Sequence, residues 1–234
     1  MIYMSMLPPT IAEIMKTPIL PHRCAIKLLA LLLIFIPSAT VQAQFDYVTN
    51  NGTIRITGYT GAGGAVTIPD TIDGLPVASI GEAAFQGCTN LTSVTIGSNV
   101  TSIADWAFYN CPSLTNASIP DRVISIGYSA FAYCSSLTRI ILPNSVTRMD
   151  DRAFSYCSDL ASVMISDSIT HLGSGVFESC TRLSTVTIPN SVMSIGHQAF
   201  SYCTNLASVT IGNNVNYIGD WAFYQCASQL FPLR

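Results

Sequence analysis

Between Phe85 and Cys226, apolar residues return every 23 positions. One column is Phe85, Phe108, Phe131, Phe154, Phe177, Phe200 and Phe223. A second is Cys88, Cys111, Cys134, Cys157, Cys180, Cys203 and Cys226, and Leu91, Leu114, Leu137, Leu160, Leu183 and Leu206 follow three residues behind it. Further apolar columns run Ile96, Ile119, Leu142, Ile165, Ile188, Ile211; Val100, Val123, Val146, Ile169, Val192, Val215; and Ile80, Ile103, Ile126, Met149, Leu172, Ile195, Ile218. A fixed period of this length is the mark of a stacked-repeat architecture. Within one unit, Val94–Thr95–Ile96 alternates apolar and polar and predicts a short strand with one buried face. Gly97, Pro120, Pro143, Pro189 and Gly212 end that strand, because proline cannot continue a ladder and glycine favours a bend. The Ala-Phe-x-x-Cys segment is too short to stand as a helix and predicts one helical or 3₁₀ turn. No unit can bury its apolar face alone, so neighbours must stack around one continuous core.

The unit C-x-x-L-x-x-[VI]-x-I-P-x-x-V-x-x-I-G-x-x-A-F, seen as CTRLSTVTIPNSVMSIGHQAF at 180–200, resembles the BspA-type leucine-rich repeat. The entry segment at 56–85 is similar to the first unit of such proteins, with five extra residues between Ile68 and Ile80. The resemblance covers about Phe45–Cys226. It departs from the general leucine-rich pattern in the Asn expected after the strand: Asn99 and Asn214 fit, whereas Arg122, Ser145, Ser168 and Ser191 do not. The resemblance implies a repeat solenoid of about seven coils, each with one short parallel strand plus turn or 3₁₀ segments. It also implies a secreted or cell-surface protein, non-catalytic and without a cofactor, that recognises or adheres to extracellular or host proteins. Two other readings stay open: a structural spacer or fragment of a larger surface protein, and a recognition module of a multidomain enzyme.

The flanks read differently. Lys16, Arg23 and Lys27 precede LLALLLIFIPSA, and VQA at 41–43 has the small residues of a signal-peptidase site, so 1–43 reads as a secretory signal. Met15 is a better start for it than Met1, and a membrane association is expected only if the leader stays uncleaved. Residues 44–84 read as a capping coil and first repeat, 85–226 as the 23-residue repeats, and 227–234 as an irregular end. Gln229 stands where the repeat calls for Leu, as though a longer array had been cut or shifted in frame.

Charge narrows the function classes. Only 10% of residues are charged, against about 25% in an ordinary soluble domain. Without the leader, seven basic residues face twelve acidic ones, a net of −5, and no lysine is left. Seven scattered arginines cannot form the basic stripe that a phosphate backbone requires, so nucleic acid is not an expected partner.

Candidate chemistry is sparse. Seven regularly spaced cysteines suggest disulfides, a metal site or buried thiols. Residues of one column point the same way, with Cβ atoms about 4.8 Å apart where a disulfide needs about 3.8 Å. There is no C-x-x-C, and a metal needs ligands converging from several directions. Buried free thiols are therefore the favoured reading. His171 and His197 fall in different columns. Asp105, Asp151 and Asp220 share a column with Glu82, Tyr128, Ser174 and His197, which reads as variable and solvated. GAGG at 61–64 lacks a following helix and lysine and reads as a turn.

Two surfaces remain. Trp106 and Trp221 share a column with Ala83, Ser129, Arg152, Gly175 and Gln198, and Tyr133, Tyr156 and Tyr202 each precede a cysteine. These aromatics either shield the turn or form a binding strip. On the strand face most outward residues are small and hydroxyl-bearing, but Arg139, Ile141 and Met164 lie within adjacent coils and form a candidate protein contact. Asn-x-Ser/Thr sequons at Asn51, Asn90, Asn99 and Asn116 matter only if the host glycosylates.

Overall fold

The computed structural model describes residues 44–227; the leader assigned to 1–43 and the stretch 228–234 lie outside the described residues. The first described segment is a hairpin of β1 (Phe45–Asn50) and β2 (Thr53–Tyr59), antiparallel, closed by Asn51–Gly52. Both turn residues have positive φ, 47° and 73°, the conformation that Asn-Gly adopts most readily in a two-residue hairpin. The chain continues through β3 (Gly64–Thr67). The five extra residues then make a second small hairpin, β4 (Thr71–Ile72) with β5 (Leu75–Ile80), turning at Asp73–Gly74 with φ of 50° and 77°.

From there each coil carries two strands. They are β6 (Leu91–Thr95) and β7 (Ser102–Ile103), β8 (Asn116–Ser118) and β9 (Ser125–Ile126), β10 (Arg139–Ile141) and β11 (Arg148–Met149). Then follow β12 (Ser162–Met164) and β13 (His171–Leu172), β14 (Thr185–Ile188) and β15 (Ser194–Ile195), β16 (Ser208–Ile211) and β17 (Tyr217–Ile218). The pairing is parallel and joins residue i to i+23, as in Val94 to Ala117, Ile140 to Val163, Val186 to Val209 and Ile103 to Ile126. That register stacks each sequence column into a physical one, with alternate residues facing in and out. The second strand of each coil, only two residues long, was not expected from the sequence. Its inward residue is the Ile80–Ile195 column.

The Ala-Phe-x-x-Cys segment is a run of tight turns. The N–H groups of Gln86 and Cys88 donate to the carbonyls of Ala83 and Phe85, three residues back, in the 3₁₀ manner. Between them, the N–H groups of Ala83, Phe85 and Gly87 donate forward to Asp105, Ala107 and Tyr109 of the next coil. The same alternation recurs at Trp106, Phe108 and Asn110, and it requires a left-handed residue at two columns of every coil. One is Ala83, Trp106, Ser129, Arg152, Gly175, Gln198 and Trp221; the other is Gly87, Asn110, Tyr133, Tyr156, Ser179, Tyr202 and Gln225, all with φ between 50° and 70°. The turn wall is therefore hydrogen-bonded from coil to coil without a helix.

Inside, the phenylalanines form one stack. Ring centroids from Phe85 to Phe223 are 4.9 to 5.8 Å apart with planes within 22° of parallel. Tyr59 of β2 continues the stack at 5.0 Å from Phe85, so the hairpin covers the first coil. Burying each ring contributes about 1.5–3 kcal/mol, and the stacking adds about 0.5–1.5 kcal/mol beyond area. The cysteines fill the space beside these rings. Each Sγ from Cys111 to Cys226 donates to the carbonyl of the phenylalanine 26 residues earlier, at 3.1 to 3.3 Å.

Candidate recognition surfaces

The strand face brings the predicted patch together. Parallel pairing of β10 with β12 sets Ile141 opposite Met164, and Arg139 Nη2 lies 3.8 Å from Met164 Sδ. Ile141 is 46% and Met164 56% exposed, although both are large and apolar. Beside them is an open depression of about 470 Å³ bordered by Asn116, Ser118, Asp121 and Pro143. Flanking outward positions are Ser, Thr and Asn116, which leave the patch as the apolar exception on this face.

The turn face separates the two tryptophans and gathers Trp106 with Tyr133 and Tyr156 of the predicted strip and with Tyr109 and Tyr128. Trp106 is half-buried, its ring edge-on to Tyr128 at 5.6 Å. Tyr109 packs edge-on against Tyr133 at 5.4 Å, and Tyr133 stacks flat on Tyr156 at 4.5 Å. These two aromatic rows come from opposite ends of the turn and border one trough of about 580 Å³. Buried Ser129 and Ser155 line it between the rows, Glu82 marks the first coil and Arg152 the fourth. Of these contacts, Tyr133 on Tyr156 could have been found by writing the chain in rows of 23. Trp106 and Tyr128 occupy neighbouring columns in successive coils, and Tyr133 and Tyr156 occupy the same one.

Backbone conformation makes these aromatics conspicuous. A left-handed residue other than glycine costs about 1–2 kcal/mol, least for Asn and Asp. Gly87, Asn110 and Gly175 obey that preference, whereas Trp106, Arg152, Tyr133 and Tyr156 are bulky residues held at φ of 54° to 62°. Next to Tyr156 lies Glu178, 7% exposed. Its Oε1 accepts the Tyr156 hydroxyl at 3.4 Å, while Oε2 is buried without a partner. Burial and the Glu178 charge hold the Tyr156 phenol above its ordinary range.

The column expected to be solvated has a backbone role. Asp105 Oδ1 accepts the Tyr128 N–H at 2.8 Å, Asp151 Oδ1 the Ser174 N–H at 2.7 Å, and His197 Nδ1 the Asp220 N–H at 3.2 Å. In alternate coils, then, a side chain caps the N–H that opens the next turn. A second cap follows the strand, where Asn144 and Asn190 accept the N–H groups of Asp167 and Asn213. Asn99 and Asn214, the two residues that fit the family's Asn position, donate to the carbonyls of Asp70 and Asn190.

Other candidates fall into structural roles. His171 bonds to Thr170 at the surface, three columns from His197 in the repeat frame. In the GAGG turn, Gly63 has φ of 94°, and a Cβ there would sit 2.6 Å from the Asn90 carbonyl oxygen. Burial pushes the Cys157 thiol up to about 12 and Cys226 up to about 11, so these sulfurs stay protonated at neutral pH. Among the described residues no group of three or more His, Cys, Asp or Glu side chains is placed to hold a metal.

The architecture is a parallel β-solenoid of 23-residue coils, a class defined by coil-to-coil stacking. Within that class the BspA-type leucine-rich repeat profile matches residues 65–184 and 170–232, with six copies. The chain belongs to the BspA-type leucine-rich repeat family. Among solved structures it is similar to a leucine-rich repeat protein of T. pallidum, with 34% identity, 81% of this chain and 89% of that chain covered, and a TM-score of 0.76. It is also similar to a leucine-rich cell surface protein of Faecalibacterium prausnitzii: 36% identity, 80% and 52% covered, TM-score 0.69. A leucine-rich repeat protein of Bacteroides ovatus shares 30% identity over 78% of this chain and 56% of its own, with a TM-score of 0.59. The chain thus spans a little over half the length of the last two. No curated protein sequence matches it.

Proposed function

We propose that this chain is a secreted or surface-displayed, non-catalytic module that recognises extracellular proteins through contacts spread over several coils. The observation that carries the reading is the Arg139–Ile141–Met164 patch. There an apolar pair and a guanidinium interrupt a face of small hydroxyl residues. Exposed apolar side chains beside an arginine are the usual core of a protein contact. The leader pattern at 1–43, the family, and the cell-surface relative in Faecalibacterium prausnitzii support display outside the cell. The partner is an extracellular or host protein, because the acidic, lysine-free repeat region disfavours nucleic acid and the patch is too open to enclose a small molecule.

The test is capture of purified extracellular-matrix and cell-surface proteins by the segment 44–234, followed by the variant Arg139→Ala/Met164→Ala. Affinity for a captured protein should fall at least tenfold while the melting temperature stays within a few degrees. Unchanged affinity rejects the strand face. Failure to capture any protein favours the spacer reading.

A further inference from the structure

We infer that the trough on the turn face is a second recognition site, one that takes an extended proline-rich segment carrying a basic residue at one end. The trough has the two features that such a ligand needs. Polyproline II helices offer flat ring faces and a backbone with free carbonyls and no N–H at proline, so they dock between aromatic side chains that also donate hydrogen bonds. Here Trp106 and Tyr128 form one aromatic row and Tyr109, Tyr133 and Tyr156 the other. The donors are unspent. Among the described residues of the trough, the one side-chain hydrogen bond is from the Tyr156 hydroxyl to Glu178, leaving the Trp106 indole N–H, the other phenols and the Arg152 guanidinium open.

Length and charge fix the ligand further. Core rings in these coils are spaced 4.9 to 5.2 Å apart. Three coil steps from Glu82 to Arg152 therefore span about 15 Å, or about five residues of polyproline II at ~3.1 Å each. Glu82 is exposed at the first end and matches a basic ligand residue, while exposed Arg152 at the far end repels one and the Glu178 carboxylate behind Tyr156 is buried outside the lining. A saccharide would want paired carboxylate or amide acceptors along its length, and the trough concentrates those at the Glu82 and Gln86 end alone. Trp106, Tyr133 and Tyr156 hold their rings at left-handed positions that recur in every coil, Tyr202 and Trp221 outside the trough included, and here they converge on one depression.

The inference rests on the reading of the chain as a protein-recognition module, but on a different face. The probe is hexaproline with a terminal arginine, acetylated and amidated, titrated into the segment 44–234 by calorimetry. Saturable binding is expected. Trp106→Asn should weaken it at least tenfold with an equal or higher melting temperature, and Trp221→Asn should change it less than twofold. Glu82→Gln, at an exposed end, should weaken the arginine-bearing peptide about threefold and leave plain hexaproline unchanged. No saturation at millimolar peptide, equal binding of a glycine–serine control, or an indifferent Trp106→Asn overturns the proposal. Binding of cellohexaose or chitohexaose in place of the peptide reassigns the trough to saccharide. A lower melting temperature in Trp106→Asn with Glu82→Gln silent reduces the aromatics to a cover for the turn. Peptide failure alongside intact capture dependent on Arg139 and Met164 removes the trough and leaves the strand-face reading standing.

Discussion

Asp105–Trp106 and Asp220–Trp221 carry the same two residues in the same columns, five periods apart. In the second coil the Asp105 carboxylate caps the Tyr128 N–H, and the Trp106 ring leans on the Tyr128 ring. In the last described coil the Asp220 side chain is open to solvent and Trp221 is 66% exposed. Identical residues on the same backbone, both tryptophans left-handed at φ of 54° and 58°, end in opposite environments. What engages the first pair is the residue one coil further on, Tyr128. In a solenoid, a position is completed by its successor, so a motif has no fixed meaning until the next coil is in place.

The comparison can be broken most severely in the core. Phe108→Ala removes a fully buried ring with neighbours stacked on both sides and should cost about 3–5 kcal/mol. Phe223 is half-buried, stacked on Phe200 at 5.3 Å, and its replacement by Ala should cost less than half as much. Denaturant unfolding of the two variants measures the difference, and equal losses would show that the deeper burial of Phe108 contributes little.

Asp105→Ala comes next. It strips the acceptor from the Tyr128 N–H and should destabilise by about 1–3 kcal/mol, the cost of an orphaned backbone donor. Asp105→Asn retains a carbonyl oxygen and should recover most of that. Asp220→Ala, with an exposed side chain, should stay within about 0.5 kcal/mol of the parent. A matching loss at both positions would mean that Asp acts locally and not on the next coil.

The smallest effect concerns the thiols. Cys157 lies in a coil with neighbours on both sides and Cys226 in the last described one, and burial raises the first to about 12 and the second to about 11. One unit is about a tenfold difference in thiolate fraction at a given alkaline pH. Iodoacetamide at pH 9, read by peptide mass mapping, should therefore modify Cys226 well before Cys157. Because the folded value of Cys157 lies above the ordinary thiol value near 9, the unfolded chain ionises first. The stability from burying that neutral thiol is complete below about pH 9 and drains away as pH climbs toward 12. A melting temperature flat from pH 8 to 11 would contradict the buried-thiol reading.

Several of these features are legible in the sequence. Phe131, Leu137 and Ile126 announce themselves as core by period alone, and Pro143 and Pro189 mark the ends of strands. Asn51–Gly52 and Asp73–Gly74 are standard hairpin dipeptides, each lying inside the segment read as a capping coil and first repeat. The Arg139, Ile141 and Met164 patch could be read because strand alternation and a constant period place i beside i+23. The trough could not be read the same way. Trp106 meets Tyr128 across neighbouring columns, and Tyr109 meets Tyr133, contacts that depend on how left-handed residues swing their side chains out of the turn. Glu178 gave no warning either, since its column holds Gln86, Tyr109, Ala132, Ser155, Ser201 and Tyr224.

The sequence by itself determined the period, the buried columns and the stacking of like on like, because only a 23-residue register lets each apolar face find another. Tertiary structure decided what the remaining residues face. Forward hydrogen bonds between turns force two left-handed positions into every coil, and that conformation turns Trp106 and Tyr156 outward to line a trough. Whether such a ring is packed then depends on the coil that follows, as Tyr128 packs Trp106.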